Sequence, residues 1–134
     1  MKNIYFSLVI YVVLIACRNK PNGIDCSNCK AGDFTYYYRP ENDTIEISRN
    51  DSLQVEKNIR SGFITKSKIN WISPCEFEST FISSSDPSLD KMSELMKDRV
   101  VVTRIREINN DYYLSESEIE GMSFKTQDTT WFKK

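Results

Sequence analysis

The sequence predicts a mainly β domain, an antiparallel meander of seven or eight short strands rolled into a small barrel or sheet, with one short helix near residues 87–98. Three observations carry this. From Phe34 onward, apolar and polar residues alternate with the period of two that half-buried strands show. Turn-forming clusters such as Pro40-Glu41-Asn42-Asp43, Asn50-Asp51, Ser61-Gly62 and Asn109-Asn110-Asp111 punctuate that alternation at strand-length intervals. A single stretch, Leu89, Met92, Leu95 and Met96, switches to the three- and four-residue spacing of a helix.

The elements follow in order. Phe34, Tyr36 and Tyr38 alternate with Thr35, Tyr37 and Arg39, and Ile45 and Ile47 continue the pattern over 44–49. Leu53 and Val55 mark a third strand, and Ser61-Gly62 closes a hairpin into a long alternating run from Phe63 to Ile72, whose second half can bury one face through Ile69 and Trp71. After Ser73-Pro74, the residues Cys75, Phe77, Ser79 and Phe81 oppose Glu76, Glu78 and Thr80. Asp86-Pro87 has the form of an N-cap followed by proline at the first helical position, so a helix of about three turns is expected near 88–98, strapped across the sheet. Val100 to Ile108 is rich in β-branched residues and returns to strand. Extended segments at 112–114, 116–120 and 124–132 finish the chain, with breaks expected at Gly121 and at Gln127-Asp128.

The N-terminus reads differently. Ile4 to Ile15 is an apolar run of twelve residues, short of the about 20 that cross a bilayer but suited to the hydrophobic region of a signal peptide. It ends in Leu14-Ile15-Ala16-Cys17, followed by Arg18-Asn19-Lys20. This resembles the lipobox of bacterial lipoproteins, which implies cleavage between Ala16 and Cys17, lipid attachment at Cys17, and a mature protein held at the membrane by acyl chains. The expected organisation is a signal peptide over 1–16, a polar tether over 17–30, and one β-rich domain over 31–134. Arg18-Asn19-Lys20 lacks the aspartate of inner-membrane retention and the acidic run of surface export, so the expected location is the outer membrane, facing the periplasm.

Composition narrows the chemistry. Without residues 1–16 the chain keeps 118 residues, with 17 basic and 19 acidic side chains, a size suited to one domain and a charge unsuited to nucleic acid. Arg49, Arg104 and Arg106 are interspersed with acids, which reads as a solvated mixed surface. Histidine is absent, which removes the commonest general base and the imidazole metal ligands. The four glycines are scattered and form no phosphate loop. No enzyme, cofactor or metal is expected.

Cys26, Cys29 and Cys75 remain beyond Cys17, and an oxidising envelope favours a disulfide. Cys26 and Cys29 have the CxxC spacing of thiol oxidoreductases, but the following Lys30-Ala31-Gly32-Asp33 leads into a strand rather than the helix that lowers a thiol pKa. The residues themselves leave open which of the two pairs with Cys75.

Cys26-x5-Gly32-x-Phe34, the segment Arg49 to Glu56, and Ile69-Asn70-Trp71-Ile72-x-x-Cys75-Glu76-Phe77 together resemble a family of small lipoproteins from Bacteroidetes, flavobacteria especially, whose members often bear the name of DNA topoisomerase IV. The residues here do not support that activity: 118 exported residues of slightly negative charge cannot house it. The resemblance implies a Cys26–Cys75 disulfide, with Cys29 standing where relatives carry an apolar or aromatic residue. Gly32-Asp33-Phe34 also resembles the opening of lipocalin-like barrels, which implies an interior with a mouth. Phe34, Tyr36, Trp71 and Phe77 are the expected core or ligand-lining aromatics. The function expected first is a non-enzymatic envelope lipoprotein with a structural or binding role, whose partner is the membrane and an envelope protein. The alternatives are a carrier or sensor of a small apolar ligand and, last, a thiol oxidoreductase using Cys26 and Cys29.

Overall fold

A computed structural model describes residues 23–134, and the expected signal peptide and Cys17 lie outside the described residues. Eight strands, β1 (Gly32–Tyr38), β2 (Asp43–Arg49), β3 (Leu53–Asn58), β4 (Ile64–Ser73), β5 (Glu76–Ser84), β6 (Val100–Ile108), β7 (Tyr112–Ile119) and β8 (Lys125–Phe132), follow one another around a closed antiparallel barrel. Every strand pairs with its sequence neighbours, and β1 meets β8 to close the ring. This is the small β-barrel that the alternation predicts.

The break expected at Gly121 is present, as the turn between β7 and β8, and the one expected at Gln127-Asp128 is not. Residues 112–119 form one strand, and β8 runs unbroken through Gln127-Asp128. Their turn chemistry is overridden because β7 and β8 pair continuously from Tyr112↔Trp131 to Glu118↔Lys125. Turns elsewhere fall where expected. Asn42 and Gly62 adopt positive φ, at 52° and 74°, to tighten the β1–β2 and β3–β4 connections.

The helix is shorter than predicted. Asp86 accepts a hydrogen bond from the Ser88 backbone N–H (2.9 Å), as the N-cap reading requires, but a 3-10 turn over Pro87–Leu89 precedes a seven-residue α1 (Asp90–Met96). Leu95 is 64 % exposed, so the apolar stripe is not wholly buried, while Leu89 and Met96 are half-covered.

One end of the barrel is packed. Phe34, Ile47, Ile105 and Tyr113 bury there with Cys26 and Cys29, and Phe132, Trp71 and Cys75 pack against them. Phe34 meets Tyr113 edge-on at 6.0 Å, and Trp71 lies 4.8 Å from Phe77. The domain therefore begins before the expected boundary at residue 31: Cys26 and Cys29 belong to the core, because the 3-10 turn Ser27–Cys29 plugs this end. Bulges keep the inward phase. The register shift between Ile105 and Glu107 accommodates Arg106 as an extra residue, so Ile105 and Ile108 both oppose inward positions of β7, Ser115 and Tyr113.

Candidate functional site

The plugged end holds a buried cation. Arg49 continues the inward phase of Ile45 and Ile47 and is only 6 % exposed, which corrects the expectation that it belongs to a solvated surface. Its guanidinium donates to the Cys29 carbonyl (2.9 Å), to Gln54 Oε1 (2.6 Å) and to the Tyr113 hydroxyl (3.1 Å). It also sits 5.1 Å from the Phe34 ring and 4.8 Å from the Phe77 ring. Neutral acceptors and π faces thus replace water around a charge that cannot be shed.

Gln54 relays this charge upward. Its amide N–H donates to the Glu56 carboxylate, two residues further along the same face of β3. Burial pushes the Glu56 carboxyl above the usual range, against the opposing pull of the Gln54 hydrogen bond and the Arg49 charge. Strand β3 therefore turns Gln54, Glu56 and Asn58 inward, opposite Arg49, Ile47 and Ile45, and leaves Leu53 and Val55 facing out. Reading its apolar residues as the core face would invert the strand.

Above this relay the lumen is lined by small polar side chains. Thr103 and Ser117 hydroxyls bond each other (2.9 Å), as do those of Thr65 and Ser84 (3.1 Å). On the β1–β8 side, Asp128 accepts from the Tyr36 hydroxyl (2.9 Å) and from Thr126 (3.0 Å). The Tyr36 phenol is pushed upward first by burial and then by its bond to Asp128.

This side is also where the barrel opens. β1 and β8 pair only over Phe34↔Phe132, Thr35↔Trp131 and Tyr36↔Thr130, whereas β1 and β2 pair over all of Gly32 to Tyr38. Tyr37 and Tyr38 belong to β1 yet do not pair with β8, and beyond them Arg39-Pro40-Glu41 folds into a 3-10 turn, so residues 125–127 of β8 lie past the end of β1. The result is a lateral cleft of about 900 Å³ that reaches from Tyr37, Phe124 and Trp131 outside to Tyr36, Ser115 and Asp128 inside. A smaller recess of about 130 Å³ lies at the opposite side of the mouth, between Glu56 and Leu89 of the strap.

The four predicted aromatics divide. Phe34 and Phe77 are core, Trp71 packs against the core beneath the Lys30 ammonium (5.4 Å), and Tyr36 lines the cleft. Cys26 and Cys75 form a disulfide, with Cα atoms 5.3 Å apart. Cys29 is a free, fully buried thiol whose pKa is pushed up to about 11 by that burial, so the CxxC spacing here does not correspond to a paired redox couple. Sequence reasoning missed Gln54, Glu56, Tyr113 and Asp128, although the alternation of Phe132, Thr130 and Asp128 on β8 carries the signal for the last. No protein-family model, curated protein or solved structure matches the chain.

Proposed function

We propose that this protein is a non-enzymatic binding module, lipid-anchored through Cys17 in the cell envelope, and that its ligand enters sideways between β1 and β8. The observation that carries the reading is the short seam: three paired residues close the ring, and the unclosed part leads to inward-facing hydroxyl and carboxylate groups. Pockets of this size that combine aromatic walls with a few convergent polar groups are the usual form of small-ligand sites. The anchor rests on Leu14 to Cys17 and on the resemblance to small Bacteroidetes lipoproteins.

A lumen lined by Asp128, Thr126, Ser115 and Thr103 favours a ligand with polar or charged groups over the small apolar ligand expected from a lipocalin-like barrel, since an apolar occupant would desolvate these groups without replacing their partners. The test is a thermal-shift screen of the detergent-solubilised full chain against small molecules grouped by charge. Ligands should raise the midpoint by several degrees, and Tyr36→Ala should abolish the shift. A panel in which no compound protects the wild type overturns the reading. For the anchor, Cys17→Ala should release the protein from the membrane fraction.

A further inference from the structure

The charged side chains lining the cleft are Arg39, Arg106, Glu107, Glu116 and Asp128, a balance of one negative charge, and their placement selects a class of ligand. Five aromatic residues, Tyr36, Tyr37, Tyr38, Phe124 and Trp131, contribute to its walls. Four of them are rim residues with broad free surface: Tyr37 is 54 % exposed, Tyr38 39 %, Phe124 53 % and Trp131 38 %. Tyr36 and Tyr38 stand side by side along β1, their rings tilted and 6.4 Å apart.

Among these rings lies one inward carboxylate without a cationic partner among the described residues. Asp128 receives only the neutral hydroxyls of Tyr36 and Thr126. The neighbouring outer carboxylate differs, because Glu116 is held by Arg106 (2.8 Å) and by Gln127 (3.1 Å). An anion reaching Asp128 would be repelled by it, and a neutral apolar ligand would desolvate it with no return. A cation would gain both the carboxylate and the negative faces of the rings.

Two hydroxyls take up half of the Asp128 acceptor sites and the walls around it are largely aromatic, which favours a cation held by charge and ring contact more than by hydrogen bonds. We infer that the β1–β8 cleft binds a small organic cation of the quaternary ammonium type, its charge set against Asp128 and the ring faces of Tyr36 and Tyr38. This rests on the binding-module reading and names the ligand class of the same site.

The test uses the full chain in detergent micelles, titrated with choline and with its uncharged isostere 3,3-dimethylbutan-1-ol, followed through the Trp131 indole N–H resonance. Choline should shift that resonance saturably, and the alcohol should bind at least about tenfold more weakly. Asp128→Asn should weaken choline about tenfold with no effect on the alcohol. Should that variant not fold, Tyr38→Leu, which leaves Asp128 and its two hydroxyl donors in place, should weaken choline several-fold while sparing the alcohol. Equal binding of choline and alcohol, or full choline affinity in Asp128→Asn, overturns the inference but leaves a ligand-binding cleft. Absence of any shift with choline overturns it as well, and the thermal-shift panel then decides separately whether the cleft binds other ligands.

Discussion

Replacing Arg49 by Met tests whether the plugged end of the barrel is organised around the buried charge. The substitution keeps an unbranched chain of similar reach but removes the donors to the Cys29 carbonyl, Gln54 Oε1 and the Tyr113 hydroxyl, leaving three acceptors at a site that is 6 % exposed. Two of these, Gln54 and Tyr113, can turn to other partners, whereas the Cys29 carbonyl belongs to a residue with no exposed surface. The orphaned Cys29 carbonyl costs about 1–3 kcal/mol, and the lost bonds to Gln54 and Tyr113 about 1 kcal/mol each. Lost contact with the Phe34 and Phe77 rings adds about 1 kcal/mol, offset in part by the apolar packing of Met. A net loss of about 4 kcal/mol should lower the melting midpoint by about 15 °C for a domain of this size. Arg49→Lys should recover little, because one ammonium cannot reach acceptors spread over three elements. Urea unfolding at pH 7 with the disulfide intact measures the difference. A midpoint for Arg49→Met equivalent to a loss under about 1 kcal/mol would refute the reasoning, since it would mean that water reaches the orphaned acceptors.

Other outcomes follow from the same structure. Reducing the Cys26–Cys75 bond, which spans 49 residues, should cost about 4 kcal/mol in the chain-entropy view, read as a lower urea midpoint in dithiothreitol. Cys29, with its pKa raised from 9.0 to about 11, should react with a maleimide at pH 8 only on unfolding. Its contribution to stability is complete below pH 9 and falls as pH rises from 9 toward 11, because the unfolded chain loses that proton first; Cys29→Ala should flatten this stretch of the stability profile. Glu56 has a folded pKa above its ordinary 4.5, so its contribution is full below that value and declines as pH rises through the folded pKa. Glu56→Gln, which can still accept from Gln54, should therefore stabilise the protein at pH 7 and remove that slope; unchanged stability at both pH 4 and pH 7 would contradict the burial argument.

The strand order was legible because the barrel is a meander: neighbours in sequence are neighbours in the sheet, and turn chemistry alone orders them. What was not legible is which face of each strand looks inward. On β2 the inward face ends in Arg49, and on β3 it consists of Gln54, Glu56 and Asn58, so the simple rule of apolar residues inside holds for one strand and fails on the next. The two strands are consistent once paired, because the polar residues of β3 answer the cation at the end of β2. A single-strand reading cannot see that complementarity. Asp128 is hidden for a related reason, since Gln127-Asp128 carries turn-forming chemistry and only pairing along the whole of β7 holds it in a strand.

The two ends of the barrel follow from one register. Extending the β1–β8 pairing beyond Tyr36↔Thr130 would set Tyr37 against Thr129 and Tyr38 against Asp128, both on the correct faces, so register does not forbid further closure. Pro40 limits how far closure could go: the proline lacks a backbone donor, fixes φ within the 3-10 turn Arg39–Glu41, and leaves β1 too short to cover residues 125–127. If that turn is what holds the seam open, Pro40→Ala together with Asn42→Gly, which relieves the positive φ of 52° at residue 42, should let β1 lengthen. Amide exchange reads this directly, as slower exchange among residues 125–129. Ligand binding in the cleft should weaken in parallel, because the strands that close the seam are those that frame Asp128. Slowed exchange without any loss of binding would place the ligand at the mouth between Glu56 and Leu89 instead, and unchanged exchange would show that the splay is set by β8 rather than by the turn after β1.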